Sequence, residues 1–283
     1  MSTRRRGSAP YLLSFPGVLW LALFFLVPMI TMFSVSLQEG TLETGFVFTG
    51  RWRNYLDALG KYDTQMIRSV TYGLIVTILT LVISFPIAYW IARKAGNKKN
   101  LVLLLLLLPF FTPYLLRTIS WQTILADEGL VLGTLKDWGV LGDSFRLLAT
   151  PVAVISGMTY NFLPFMALPL YVALERMDPA LLEAASDLYS TRRQAFFKVT
   201  LPLSLPGVFA GSLLTFIPAV GDYVDPEILG GVNTTMIGQV IQREMLNSFD
   251  FPEGAAIAFI LMAAILLGVF FYARALGTEE LTG

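Results

Sequence analysis

The sequence predicts an all-α integral membrane protein with six transmembrane helices. Three observations predict it. Of the 283 residues, 55% are hydrophobic and only 14% are charged, where a soluble domain carries roughly 25% charged. Six stretches are apolar and long enough, at about 20 residues or more, to cross a bilayer as helices. The 20 basic and 20 acidic residues are sorted unequally between the segments that join those stretches. A folded globule in water needs a charged exterior, so the solvent of this chain is a bilayer. The same numbers exclude disorder and nucleic-acid binding. With no His and no Cys, zinc sites, disulfides, cysteine nucleophiles and His-based catalysis are also excluded.

The spans are expected at 12–37, 67–92, 101–125, 147–174, 205–228 and 255–276, within one domain, 1–283, without internal repeats. The first is too long for the apolar core of a signal peptide and lacks a small-residue cleavage site, so it is expected to be retained. Between the first two spans, the long segment 38–66 holds a short amphipathic helix near Trp52–Leu59. In the third span, Arg117 follows Leu101 by about 24 Å of helix and is expected to snorkel to the outer interface. Segment 126–146 reads as a Gly-rich loop. Gly207 and Gly211 open the fifth span as a small-xxx-small face, read as packing within the chain in preference to a dimer seam. Pro28, Pro86, Pro109, Pro113, Pro164, Pro169 and Pro218 lie in or near spans. Each leaves a backbone group that neighbouring helices or water must satisfy.

Orientation follows from Lys and Arg near the span ends. With a cytoplasmic N-terminus, 12 basic and 6 acidic residues lie inside, and 8 basic and 14 acidic residues outside. The inside carries +6 and the outside −6. The short segment 93–100, with Arg93, Lys94, Lys98 and Lys99 and no acid, is the clearest single vote. Arg4, Arg5 and Arg6 agree. Both termini are then cytoplasmic.

The inside segment 175–204 carries the most specific signal. Asp178 is a good N-cap and Pro179 a good first helical residue, followed by helix-favouring Ala and Leu. The pattern breaks near Tyr189-Ser190. Thr191 and Gln194 have the spacing of a capping box, and a second short helix is expected over Arg192–Val199, ending at Leu201-Pro202. Such a helix–turn–helix presents Ala184, Ala185, Phe196 and Phe197. That apolar surface suits either a soluble partner or the lipid interface.

The stretch Glu183-Ala184-Ala185, with Val199, Leu201 and Pro202 at fixed offsets, resembles the EAA loop of binding-protein-dependent ABC importer permeases. The spacing is kept, with Val199 at the usual Ile position. Tyr189 stands where the family has Gly, which serves as a positive-φ helix terminator. Further stretches are similar to the spermidine/putrescine permeases: Leu108-Pro109-Phe110-Phe111, Leu163-Pro164-Phe165-Met166, Phe216-Ile217-Pro218 and Met236-Ile237-Gly238. Relatives that carry opines, phosphonates or iron look much alike.

This resemblance implies a subunit of the bacterial cytoplasmic (inner) membrane that forms half a substrate pathway with a second, related permease. It implies two cytoplasmic ATPase subunits, which hold ATP and Mg, and an extracytoplasmic binding protein. In this chain no cofactor or metal is expected, and no catalytic residue. It has no GxxxxGK[ST] phosphate loop. Glu183, Ala184, Ala185 and Tyr189 would contact the ATPase. Phe196, Leu201 and Pro202 would support the second loop helix.

For the pathway, Asp222, Asp225 and Glu227 lie near the outer end of the fifth span. Asp222 and Asp225 are spaced to share a helix face, and carboxylates at a mouth attract cations. Ordinary interface acids would read the same way. Tyr114, Trp121, Tyr160 and Tyr223 could stack on a cation, although interface belts use the same residues. A stand-alone secondary transporter would show inverted repeats and charged span centres, and neither is evident.

Overall fold

The computed structural model describes residues 9–142 and 144–275, with side chains from Leu13 to Arg274. Arg4, Arg5, Arg6, Asp143, Glu279 and Glu280, and the expected end of the sixth span at 276, lie outside the described residues. Five helices are long and apolar enough to cross a membrane, and one bent pair makes a sixth if counted as a single span. The chain divides into two compact units.

The first unit comprises the residues up to Lys61 together with Ile241–Ile260. Helix α1 (Ala9–Leu21) passes through a π turn (Ala22–Leu26) into α2 (Val27–Ser36). Pro28 explains the wide turn: it has no N–H for the carbonyl four residues back. In the apolar 18-residue stretch of the span Leu13–Ser36, no residue is buried by the rest of the described chain. A two-stranded hairpin follows, β1 (Gln38–Thr41) against β2 (Gly45–Phe48), with Gln38 opposite Phe48. Strands of four residues leave little alternation to read, and the sequence pattern suggested only a loop. The short helix expected near Trp52–Leu59 begins at Arg53 and ends in a kink at Tyr62 (φ −124°, ψ 21°), where a second helix takes over. The two together make up α3 (Arg53–Lys94). Lys61 donates to Glu253 at 2.8 Å, at the start of α13 (Phe251–Ala275).

The second unit comprises Tyr62–Val240 with the residues from Leu261. Here the expected third span is broken. Gly96–Phe111, which contains α4 (Lys99–Leu107), and Tyr114–Asp137 meet at 91°. Pro109 and Pro113 cause the break, because the residue before a proline is pushed out of the α region and Thr112 is extended (φ −95°, ψ 134°). Helix α5 (Tyr114–Leu125) then starts in a new direction. The Gly-rich segment after it holds a further helix, α6 (Leu130–Asp137). Helix α7 (Pro151–Arg176) starts later than 147, because Thr150 caps it and Pro151 takes its first position.

Helices α8 (Ala180–Asp187) and α9 (Arg192–Ala195) follow. The second loop helix does not stop at Leu201-Pro202. A π turn (Phe196–Thr200) joins it to α10 (Leu201–Val220), making one 29-residue helix from Arg192. Pro202 lacks a donor and crowds the preceding turn, and the widened turn absorbs both effects. Helix α10 ends at Val220, well before 228, and α11 (Val224–Leu229) and α12 (Ile237–Leu246) follow as separate pieces.

Two apolar clusters hold this unit. One joins Val76 of α3, Val154, Met158 and Phe162 of α7, and Leu229 and Met236. The other joins Ala88, Met166, Leu170, Leu174 and Val208. The small-residue face of α10 lies in the second. A Cβ at Gly207 would sit 2.6 Å from Ala173 Cβ, and one at Gly211 would sit 2.8 Å from Met166 Sδ. These glycines serve contact with α7 of the same chain.

Candidate functional site

Two regions carry the residues that the sequence singles out. The first is a polar cluster built from α5, α7 and the turn before α11. The bend at Thr112 aims α5 so that Tyr114 and Thr118, one turn apart, face the same way. Asn161 comes from the middle of α7, and Asp225 from the first turn of α11.

Asp225 is fully buried. One carboxylate oxygen accepts from Thr118 Oγ1 at 2.7 Å and from Asn161 Nδ2 at 3.0 Å. The other accepts from Tyr114 Oη at 3.0 Å and again from Asn161 Nδ2 at 3.0 Å. Tyr114 Oη also lies 2.9 Å from Asp222 Oδ2. One phenol proton is thus shared between two carboxylates. Asp222 is 8% exposed, so of the two acids it is the one that keeps contact with the surroundings.

Asp222 and Asp225 do not share a helix face. Gly221 ends α10, and Asp222 lies in the turn, where its Oδ1 accepts the Val224 N–H at 2.9 Å. The short turn that leads into α11, not a shared helix face, sets the two acids near each other, and Tyr114 bonds to both. Gly238 holds that turn in place, since a Cβ there would sit 2.4 Å from Gly221 O and 2.7 Å from Asp222 O.

Among the described residues, neither carboxylate forms an ion pair. Burying carboxylates without a countercharge is costly, and the donors Tyr114, Thr118 and Asn161 are what compensate it. Asn161 Oδ1 is a buried acceptor with no partner, and it adds one more oxygen that an ammonium could use.

The other expected pathway residues stand apart from this cluster. Glu227 is exposed and accepts from Gln239 Nε2 at 2.6 Å. Tyr160 packs edge-on against Trp121, with centroids 5.5 Å apart. Tyr223 is exposed. Arg117 does not snorkel. It is nine-tenths buried, its guanidinium lies 4.8 Å from the Phe110 ring centre and 5.5 Å from that of Tyr114, and its Nε and Nη1 have no hydrogen-bond partner. The proline break turns α5 away from the straight path on which a snorkelling reach was reckoned. Thr118 and Asn161 escaped the sequence reading. Their signal was available: polar side chains inside apolar spans are uncommon and face the protein interior.

The second region is 175–204. Asp178 Oδ1 accepts the Ala180 N–H at 2.9 Å at the start of α8. The capping box is formed: Thr191 N–H donates to Gln194 Oε1 at 2.9 Å, and Gln194 N–H donates to Thr191 Oγ1 at 3.3 Å. Between them, Tyr189 takes φ +57°. Its N–H donates to Ser186 O at 2.9 Å, and Ser190 N–H donates to Ala185 O at 3.1 Å. These two bonds define a Schellman motif with Tyr at the position that favours Gly. The Tyr189 side chain is 96% exposed. Glu183 and Ala184 are exposed and Ala185 is half-buried. Phe196 turns inward, edge-on to Phe85 of α3 at 5.4 Å. Leu201 is half-buried and Pro202 exposed at the start of α10.

Comparisons with known proteins place this geometry in context. The profile of the family described as "Binding-protein-dependent transport system inner membrane component" matches residues 84–277. The chain is 37% identical to the spermidine/putrescine transport system permease protein PotB of Haemophilus influenzae, over 90% of both chains. It is 35% identical to the PotB protein of Escherichia coli, over 90% of this chain and 94% of that one. Among solved structures, it is similar to a chain of a bacterial ABC transporter involved in the import of the acidic polysaccharide alginate. There the TM-score is 0.72 and identity 21%, over 99% of this chain and 98% of that one. It is also similar to a chain of the MetNI methionine ABC transporter, with TM-score 0.56 and 19% identity, over 76% of this chain and 95% of that one. The chain therefore belongs to the family of binding-protein-dependent transport system inner membrane components, and it is a membrane-spanning permease subunit.

Proposed function

We propose that this permease carries a polyamine such as spermidine or putrescine into the cell, and that Asp222 meets the cation on its way. The observation that carries the reading is the Asp222–Tyr114–Asp225 bridge, a buried pair of acids without a basic partner. The names of the relatives point to the same substrate class. Asp225, held by Thr118 and Asn161, fixes Tyr114, and Tyr114 presents Asp222. An anionic solute such as a phosphonate would be repelled there.

The chain supplies half of the pathway, and a second, related permease supplies the rest. An extracytoplasmic binding protein delivers the substrate. Two ATPase subunits dock on Glu183, Ala184, Ala185 and Tyr189, with both termini of this chain on the same cytoplasmic side of the inner membrane. The side chain of Tyr189 supports that reading: a strained, fully exposed aromatic ring is a docking element in search of a pocket. ATP and Mg belong to the ATPase subunits. This chain contributes no nucleotide site and no catalytic group.

The test is uptake of radiolabelled spermidine by the complete transporter in proteoliposomes. Asp222→Asn is expected to cut uptake by about tenfold, the effect of a charge contact worth roughly 1.4 kcal/mol, and the double variant with Asp225→Asn further. Uptake unchanged in the double variant would return both acids to a purely structural role.

A further inference from the structure

We infer that Arg93 is a positioning residue for energy coupling, fastening the entrance of the 175–204 loop to α3. The inference rests on the reading of that loop as the ATPase contact. Helix α7 ends at Arg176, and Met177 leaves it in an extended conformation (φ −68°, ψ 126°). The last carbonyls of a helix have no internal partner and carry the negative end of its dipole. Arg93, in the last turn of α3, meets that end: its Nη2 donates to Met177 O at 2.6 Å, while its Nε is buried. Met177 itself is buried, so the joint is packed as well as charged.

A second contact lies beside it. Lys99 pairs with Glu175 and lies 5.7 Å from the ring centre of Tyr171, both in the last turns of α7. This pair is partly solvated and therefore weaker. The far arm of the loop is tied to the same helix, because Phe196 packs edge-on to Phe85 of α3. Entrance and exit of the loop are thus both fixed to α3.

The other end of α3 in this unit reaches the substrate side. Arg68 Nη1 donates to Thr235 O at 2.9 Å, and Ser69 Oγ accepts the Ile237 N–H at 2.7 Å. That segment leads into Gly238, which braces the Asp222 turn. A displacement of the loop is therefore passed along α3, across Pro86, to the wall that holds the acids. The four basic residues of 93–100 acquire a division of labour: Arg93 and Lys99 grip α7, and Lys94 and Lys98 are exposed.

The experiment compares ATP hydrolysed with spermidine imported in the reconstituted complete transporter. Glu183→Lys serves as the arm that tests the loop reading itself. Arg93→Met is expected to leave the ATPase bound and hydrolysing, while ATP used per spermidine imported rises about tenfold, within the range by which residues between coupled sites tune coupling. Arg93→Lys, which keeps a cation at the carbonyl, is expected to restore most of the ratio. Lys99→Glu is expected to raise the ratio less, and the swap with Glu175→Lys to bring it back. Folding damage would lower hydrolysis and import together and respond to neither rescue, and that result overturns the proposal. A wild-type ratio in Arg93→Met, with ATPase binding lost in Glu183→Lys, overturns the inference and leaves the loop reading standing. Normal ATPase binding in Glu183→Lys would remove the loop reading, and the inference with it.

Discussion

The 175–204 loop and the acid cluster differ in how they are held. The loop is local. Its caps, turn and helices are set by residues within a few positions of one another, and Glu183, Ala184 and Tyr189 are exposed. The cluster is assembled from residues 114, 118, 161, 222 and 225, and the hydrogen bonds that join α5, α7 and the two acids span dozens of positions. A surface built for a partner keeps its groups free. A site built for a buried charge must surround it with donors before the charge can stay. The consequence is that the loop tolerates changes that leave its turn intact, and fails when its contact face changes. The cluster should be sensitive to changes in the backbone that frames it.

Glu183→Lys strikes the contact face and has the largest expected effect. The residue is exposed on α8, so the variant should fold and insert as the wild type does. Charge reversal at a docked face costs several kcal/mol, and uptake should fall by about 100-fold or more. Uptake assays beside co-purification of the ATPase check this, and normal uptake would end the docking assignment.

Gly238→Ala strikes the frame of the cluster without touching an acid. The added carbon would lie 2.4 Å from one backbone oxygen and 2.7 Å from another, and backbone cannot step aside as a flexible side chain can. Overpacking of this kind costs about 1–3 kcal/mol. The 221–223 turn should shift and carry Asp222 away from Tyr114. Uptake should therefore fall about tenfold while ATPase binding stays normal, whereas Glu183→Lys should lose both. Loss of both functions together would show that the two regions are not separable in this way.

What the sequence revealed follows the same division. The loop was legible because caps and breaks are local: Asp178, Thr191 and Gln194 act where their spacing puts them. The spans were legible from apolarity alone. The bend at Thr112 was not, because Pro109 and Pro113 announce trouble without saying whether a span kinks or breaks. Missing that bend misplaced Arg117 and hid the convergence of Tyr114 and Thr118 on Asp225. A shared helix face does not describe Asp222 and Asp225, because α10 ends at Val220 and Asp222 lies in the turn beyond it. They stand together where that turn leads into α11, and a tyrosine more than 100 positions away bonds to both, which no periodicity can foresee. The continuation of the helix through Pro202 was hidden likewise, since a π turn is a response to local crowding and leaves no pattern of its own.

The smallest expected effect is at Tyr189, and it is informative because two assays should move in opposite directions. Tyr189 holds φ +57°, a region that costs an L-residue about 1–2 kcal/mol relative to glycine. Tyr189→Gly relieves that strain. Glycine also loses more freedom on folding, by about 0.5–1 kcal/mol, so the net gain in stability should lie between about 0 and 1.5 kcal/mol. Because the ring is almost wholly exposed, no packing within the chain is lost. Thermal unfolding of the purified permease should then be unchanged or a few degrees higher. If the ring fills a pocket on the ATPase, co-purification of that subunit should weaken at the same time, although the turn is better formed. A stabler chain that binds the ATPase normally would show the ring to be idle and Glu183-Ala184-Ala185 sufficient for docking. A destabilised chain would mean that the side chain has a contact within this permease, and that the strain is offset there and not at the partner.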